Sequence, residues 1–120
     1  IEITAVPYVR AVRLAWSASQ EVPTFEPEHE TLKLPASARQ AVLLVGVSRM
    51  PADARIRVEW FFGDERVFTD ALQSREDGEH YFALVKREGG RLEPLPKGEY
   101  RAEVRSGATL VKSVRFEVKA

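Results

Sequence analysis

The sequence contains no cysteine, and this absence excludes disulfide bonds, thiolate nucleophiles and cysteine-ligated zinc. It also contains no asparagine and therefore no acceptor for N-glycosylation. The longest hydrophobic run, Ala41–Val47, is far shorter than the ~20 residues that cross a bilayer. The 18 basic and 18 acidic residues leave no surplus of Lys and Arg, which a nucleic-acid-binding surface requires. We therefore expect no nucleic-acid partner and no transmembrane segment in this chain.

What is present is typical of one globular domain. The 120 residues are 44% apolar and 30% charged, enough to bury a continuous core without metal or disulfide links. We predict a single domain over residues 1–120, with an N-terminal strand and an extended connection in residues 1–30 that pack on a β-sandwich. Because the chain opens on Ile1, we expect that a start or export segment has been removed. The low content of thermolabile residues, with no Asn and a single Met, and the abundant charge fit a thermophilic source or, equally, a GC-rich genome.

Apolar and polar residues alternate over several short stretches, which is the pattern of half-buried strands. The alternation is clearest in Arg10–Ser17, Ala54–Phe62 and the residues that follow Glu99, and His80–Lys86 is predicted as a further strand. The stretch Ala36–Met50 is ambiguous, because its flanking prolines suit a helix whereas its valines suit a buried strand. We favour the strand. With turn residues between these segments, the sequence predicts an all-β fold, a two-sheet antiparallel sandwich of seven to eight strands.

The turn at Gly63-Asp64 determines which residues of the central hairpin share a face. Two residues of this type between alternating stretches are the signal of a two-residue hairpin loop. The resulting register pairs Glu59 with Phe68. Phe61 and Phe68 then both lie on the outer surface of the sheet, on the side opposite to Trp60.

The final hairpin favours an odd loop. A three-residue loop, Ser106–Ala108, pairs Tyr100 with Val114 and keeps the apolar side chains of both strands on one face. Lys112 does not fit that register. We expect a bulge or a snorkelling side chain at this position.

Two features resemble the immunoglobulin-like and fibronectin-type-III-like β-sandwich modules of bacteria. Trp60 lies in the middle of a predicted strand, as the core tryptophan of that family does. The segment Leu95-Pro96-x-Gly98-x-Tyr100 looks like the tyrosine corner of the family, in which the tyrosine hydroxyl bonds to upstream backbone. The likeness covers roughly residues 31–120, and the cysteine pair of antibody domains is absent.

The resemblance implies an immunoglobulin-like fold and a non-catalytic interaction or structural module. It favours a larger extracytoplasmic protein or assembly, in the periplasm or on the cell surface. A protein partner or self-association would fit such a module. Two alternatives remain open: a carbohydrate- or peptide-binding module that uses an exposed aromatic face, and an accessory domain excised from a larger enzyme.

No residue pattern indicates an enzyme or a cofactor site. None of the serines lies in a Gly-x-Ser-x-Gly motif, and the two histidines have no diagnostic spacing from any of them. Glu26, Glu28, His29 and Glu30 could offer ligands to a hard cation. Without a glycine-shaped loop we favour a solvated acidic connection there. We therefore expect no catalytic residue, no bound metal and no cofactor.

The sharpest candidate for a binding surface is aromatic. Phe61 and Phe68, with Arg66 and Glu59 beside them, would form a face for a ligand or partner such as a sugar, a peptide or another subunit. The alternatives are that the N-terminal segment covers this face, or that a hairpin bulge rotates one phenylalanine inward. The alternation Arg101-Glu103-Arg105 is interpreted more simply as a solubilising cross-strand charge ladder.

Overall fold

The computed structural model describes residues 6–18, 33–72 and 76–119. Within these ranges the chain forms nine strands and no helix. The strands are β1 (Val9–Ser17), β2 (Lys33–Leu34), β3 (Gln40–Val47), β4 (Ile56–Phe62), β5 (Glu65–Ala71), β6 (Gly78–Glu88), β7 (Arg91–Glu93), β8 (Gly98–Ser106) and β9 (Thr109–Val118). The metal-ligand candidate at Glu26–Glu30 lies outside the described residues, as does most of the predicted 1–30 segment.

The strands form the two sheets of a sandwich. One sheet has four strands in the order β1-β3-β6-β7, and the other has five in the order β2-β9-β8-β4-β5. Pairing is antiparallel except for β2, which runs parallel to β9. The blocks β1-β3-β6 and β9-β8-β4 follow the A-B-E and G-F-C order of the immunoglobulin fold. The predicted all-β, immunoglobulin-like sandwich is confirmed, and its described residues form nine strands where seven to eight were expected.

The ambiguous stretch Ala36–Met50 contains a strand. Every residue of β3 is buried, and β3 pairs with β1 on one side and with β6 on the other. A strand that is covered on both faces has a continuous apolar sequence, so its periodicity cannot be told from that of a buried helix.

Trp60 lies at the centre of the core. It is fully buried on β4, and its ring meets Phe116 edge-on, with the ring centroids 6.1 Å apart. Its indole N–H has no hydrogen-bond partner among the residues that the structure describes. Trp60 therefore supports the fold through apolar burial and ring packing.

The segment between β7 and β8 carries the chain from one sheet to the other. At its start the Leu95 N–H donates to the Ala38 carbonyl at 2.8 Å. The Tyr100 hydroxyl donates to the Pro96 carbonyl at 2.5 Å, so the upstream backbone bond expected of this tyrosine is present. Burial raises the pKa of Tyr100 to about 12, because the phenolate is disfavoured away from water.

A bulge changes the register of the β4–β5 hairpin. Phe61 faces Arg66, as the Gly63-Asp64 turn predicts. The register then shifts between Phe61 and Trp60, and Trp60 faces Phe68. The predicted pairing of Glu59 with Phe68 is therefore wrong. Because directly opposite residues share a face, Phe68 lies on the Trp60 side of the sheet.

The final hairpin also differs from its predicted register. Its loop consists of two residues, Gly107-Ala108, and not of three. A register shift beside Lys112 confirms the bulge expected there. Tyr100 consequently faces Phe116, and the predicted partner, Val114, is wrong.

Candidate functional site

The outward side chains of the five-stranded sheet form the candidate site. On β4, Val58 and Trp60 point into the core, and on β8, Ala102 and Val104 do so. Successive side chains of a strand alternate between the two faces, so the residues between them point outward. We call this surface the striped face. Its members are Arg57, Glu59 and Phe61 of β4, Arg101, Glu103 and Arg105 of β8, Arg66 of β5 and Arg115 of β9.

Like charges stand directly opposite one another on the striped face. Three such pairs lie across neighbouring strands: Arg57 and Arg105, Glu59 and Glu103, and Arg101 and Arg115. The expected cross-strand charge ladder therefore forms between diagonal neighbours on adjacent strands, and not between directly opposite residues. Charges of opposite sign alternate along each strand instead, so that basic and acidic rows run across the sheet.

Ion pairs between neighbouring rows compensate these like charges. Glu59 accepts from Arg66 Nη1 at 2.9 Å and lies 3.0 Å from Arg105 Nε and 3.9 Å from Arg57 Nε. Glu103 lies 3.0 Å from Arg105 Nη2, which donates to it. Its other oxygen lies 3.0 Å from Arg101 Nε and forms an ion pair with it.

The carboxylates lie beneath the guanidinium groups. The side chains of Glu59 and Glu103 are 9% and 12% exposed, whereas that of Arg66 is 60% exposed. The other paired arginines lie between these values. Solvent, and any partner, therefore meets mainly the positive groups of these rows.

Phe61 is half-buried within the basic row. The Arg101 guanidinium carbon lies 4.2 Å from the centroid of its ring, within the range of a cation–π contact. Of the predicted face, the structure brings together Phe61, Arg66 and Glu59. Phe68 lies on the opposite side of the sheet, 46% exposed on the edge strand β5, as the alternative of a hairpin bulge anticipated.

A depression of about 360 Å³ adjoins the striped face, where β2, β8 and β9 meet the Gly63-Asp64 turn. Its charged lining consists of Lys33, Arg101 and Arg115 against Asp64, Glu99 and Glu117. Since Arg101 and Arg115 belong both to the striped face and to the lining of the depression, the depression extends the striped face toward β2. The acidic residues there mark the end of the basic row.

The described part of the chain offers little to catalysis or metal binding. No group of three or more His, Asp and Glu side chains in it could hold a metal ion. His80, in β6, places Nε2 2.9 Å from the Glu76 carbonyl. The described residues also contain no helix that is long and apolar enough to cross a membrane.

The sequence interpretation included three residues of the striped face and missed the arginines of β8 and β9. The sequence signal for these arginines was the strict alternation from Glu99 to Arg105. It indicates that the charged residues point outward, but it does not indicate which residues of the neighbouring strands lie beside them. That information depends on the register of two hairpins, and both contain a bulge.

Comparisons with known proteins support the fold alone. No protein-family model matches the sequence, and no curated protein matches it. The structure is similar to that of an immunoglobulin-like protein from Pseudomonas aeruginosa, with a TM-score of 0.64 and 15% sequence identity. The match covers 93% of this chain and 94% of the other, so the likeness extends over the whole domain.

Proposed function

We propose that the chain is a non-catalytic interaction module of a larger extracytoplasmic protein or assembly, and that it binds a protein partner through the striped face. The observation that carries the proposal is the composition of that face. It holds Phe61 among five arginines, and no third layer of described strands covers it. Arginine and aromatic residues are enriched at protein interfaces and at their energetic hot spots.

The fold offers broad outer surfaces for such a partner. Its outer sheet faces are the surfaces that remain available when two sheets bury their inner faces against each other. The placement outside the cytoplasm is supported by the resemblance to bacterial immunoglobulin-like modules. Function still follows from the site and not from the fold.

Self-association through the β5 edge is a second candidate. In the described residues β5 pairs only with β4, and it exposes Val67 and Phe68 to 45% and 46%. An exposed edge strand with apolar side chains is a template for pairing with another chain. In this second candidate Phe68 still contacts the partner, but from a different surface from that of Phe61.

Site-specific photocrosslinking in the native host tests both candidates. p-Benzoylphenylalanine would replace Phe61, Phe68 or, as the matched control, Tyr81. Tyr81 is 50% exposed on the four-stranded sheet. A discrete crosslink to another protein from position 61 and none from position 81 supports the striped face. A crosslink between two copies of this chain from position 68 alone supports the edge, and equal crosslinking from positions 61 and 81 refutes the main proposal.

A further inference from the structure

We infer that the striped face recognises a carboxylate-rich protein segment. The inference rests on the proposed function, because it names the chemistry of the partner that the striped face would bind. It follows from the charge that this face exposes, the free donors of its arginines and its boundaries.

The exposed charge of the striped face is positive although the chain as a whole is neutral. Five arginines, at positions 57, 66, 101, 105 and 115, stand against Glu59 and Glu103, whose side chains are nearly buried. Five minus two leaves an excess of three positive charges in these rows, and Glu99 and Glu117, which point outward in the adjoining row, reduce the excess to one when they are included. A complementary partner is therefore acidic, since like charges across an interface cost several kcal/mol.

The guanidinium groups keep donors free for such a partner. Each guanidinium has five N–H donors. The ion pair of Arg101 uses Nε, and that of Arg66 uses Nη1. Arg115 is exposed and forms no side-chain ion pair within the described residues. Glu59 and Glu103 hold their arginines in place, which reduces the rotamer entropy lost when a carboxylate binds bidentately.

The pair Arg101 and Arg115 is difficult to explain by stability alone. The two residues face each other directly on β8 and β9. Like charges in this position destabilise a sheet, whereas an acidic residue at 115 would stabilise it. A bound carboxylate between them would remove the repulsion.

The boundaries of the basic rows favour a short protein segment over other anions. Glu99, Glu117 and Asp64 flank the row of Arg101 and Arg115, and they would repel the continuous charge of a nucleic acid. A sugar would stack on an aromatic ring face, but the Arg101 guanidinium already lies over that of Phe61. The two basic rows are four residues apart along β4, or about 13 Å, which an extended peptide spans with acidic residues at i and i+4.

The test is a titration of the purified domain with a short peptide that carries Glu at positions i and i+4 and uncharged residues between them, followed by amide chemical shifts in NMR. We expect shifts confined to β4, β5, β8 and β9, and binding that weakens as NaCl rises from about 0.05 to about 0.5 M. Arg66→Gln and Arg115→Gln should each weaken binding about five-fold, which corresponds to about 1 kcal/mol. The matched control is Arg87→Gln, at an exposed position of β6 in the other sheet, which should leave the affinity unchanged.

Three results would overturn the inference: no binding of the peptide, shifts on the four-stranded sheet, or an affinity that Arg66→Gln and Arg115→Gln leave intact. Tighter binding of an oligogalacturonate than of the peptide would also overturn it, in favour of an acidic polysaccharide. If the peptide does not bind while position 61 still crosslinks to a protein, the proposed function holds. Only the inference that the partner segment is acidic is then wrong. If the peptide binds while position 61 does not crosslink, the proposed function fails by itself.

Discussion

Replacing Gly98 by alanine should destabilise the domain more than replacing any glycine that lies only in an open turn. Gly98 opens β8 with φ +140°, a backbone conformation that side chains disfavour. A Cβ atom at this position would also lie 2.7 Å from Cε1 of Phe62. The Phe62 ring cannot move away freely, because it packs against Tyr100 with the ring centroids 4.8 Å apart.

The two effects can be separated in magnitude. A residue forced into a sparsely populated backbone region costs about 1–3 kcal/mol, and overpacking at the ring costs about 1–3 kcal/mol more. Gly78 is the matched control, since it has φ +129° and no atom lies within 4 Å of the position that a Cβ atom would take there. Gly78→Ala should therefore cost only the backbone part, about 1–3 kcal/mol.

Urea unfolding followed by tryptophan fluorescence measures these differences. Phe62→Leu in the Gly98→Ala background should recover part of the loss, because it removes the ring atoms that the methyl group meets. If Gly98→Ala costs no more than Gly78→Ala, the close approach of Phe62 is not what requires glycine at this position.

Two further predictions concern buried polar groups. Tyr100→Phe should lower the free energy of unfolding by about 1 kcal/mol, because the bond to Pro96 is lost. Since the pKa of Tyr100 is raised from 10.0 to about 12 in the folded state, its contribution is complete below pH 10 and is lost as the pH rises toward 12. Wild-type stability should thus fall by about 1–2 kcal/mol more than that of Tyr100→Phe in urea titrations over this range; parallel curves would contradict it. Glu59→Gln should cost about 1–2 kcal/mol, because three arginines lose their common carboxylate, and thermal unfolding at rising salt should show the deficit shrinking. A deficit independent of salt would contradict the ionic explanation.

The strands and the sandwich could be predicted because burial follows the sequence wherever one face of a strand meets the core. Tyr100, Ala102 and Val104 are buried in β8, and the charged residues between them are not. The same rule does not apply to β3, because every residue of that strand is buried. There the β-branched residues favoured a strand over a helix, and this prediction was correct.

The bulge in the β4–β5 hairpin explains why only part of the candidate face could be predicted. A single inserted residue moves every side chain beyond it to the other face. The turn residues Gly63-Asp64 determine the pairing beside the loop, so the placement of Phe61 opposite Arg66 was accessible. Phe68 lies beyond the bulge, in an exposed edge strand whose alternation gives no sign of the inserted residue.

The final hairpin shows which part of a register the sequence can determine. A three-residue loop and a two-residue loop with a bulge both keep the apolar side chains on one face. The partner that each residue of β8 meets on β9 differs by two positions between these two registers. In the predicted register Arg101 would face Ser113, and in the structure it faces Arg115. Exposed side chains do not select between these pairings, whereas the core does.

Tyr100 stacks on Phe116 in the observed register, with the ring centroids 5.0 Å apart and the planes 9° apart. Pairing with Val114 would lose this aromatic contact, so the core determines that residue 115 faces Arg101. Nothing in the core requires that residue 115 be an arginine, since its side chain is exposed. For this reason Arg115→Gln should weaken binding of the acidic peptide without lowering thermal stability, and it should raise stability slightly if repulsion from Arg101 is significant. Loss of stability together with binding would show that Arg115 serves the fold and not a partner.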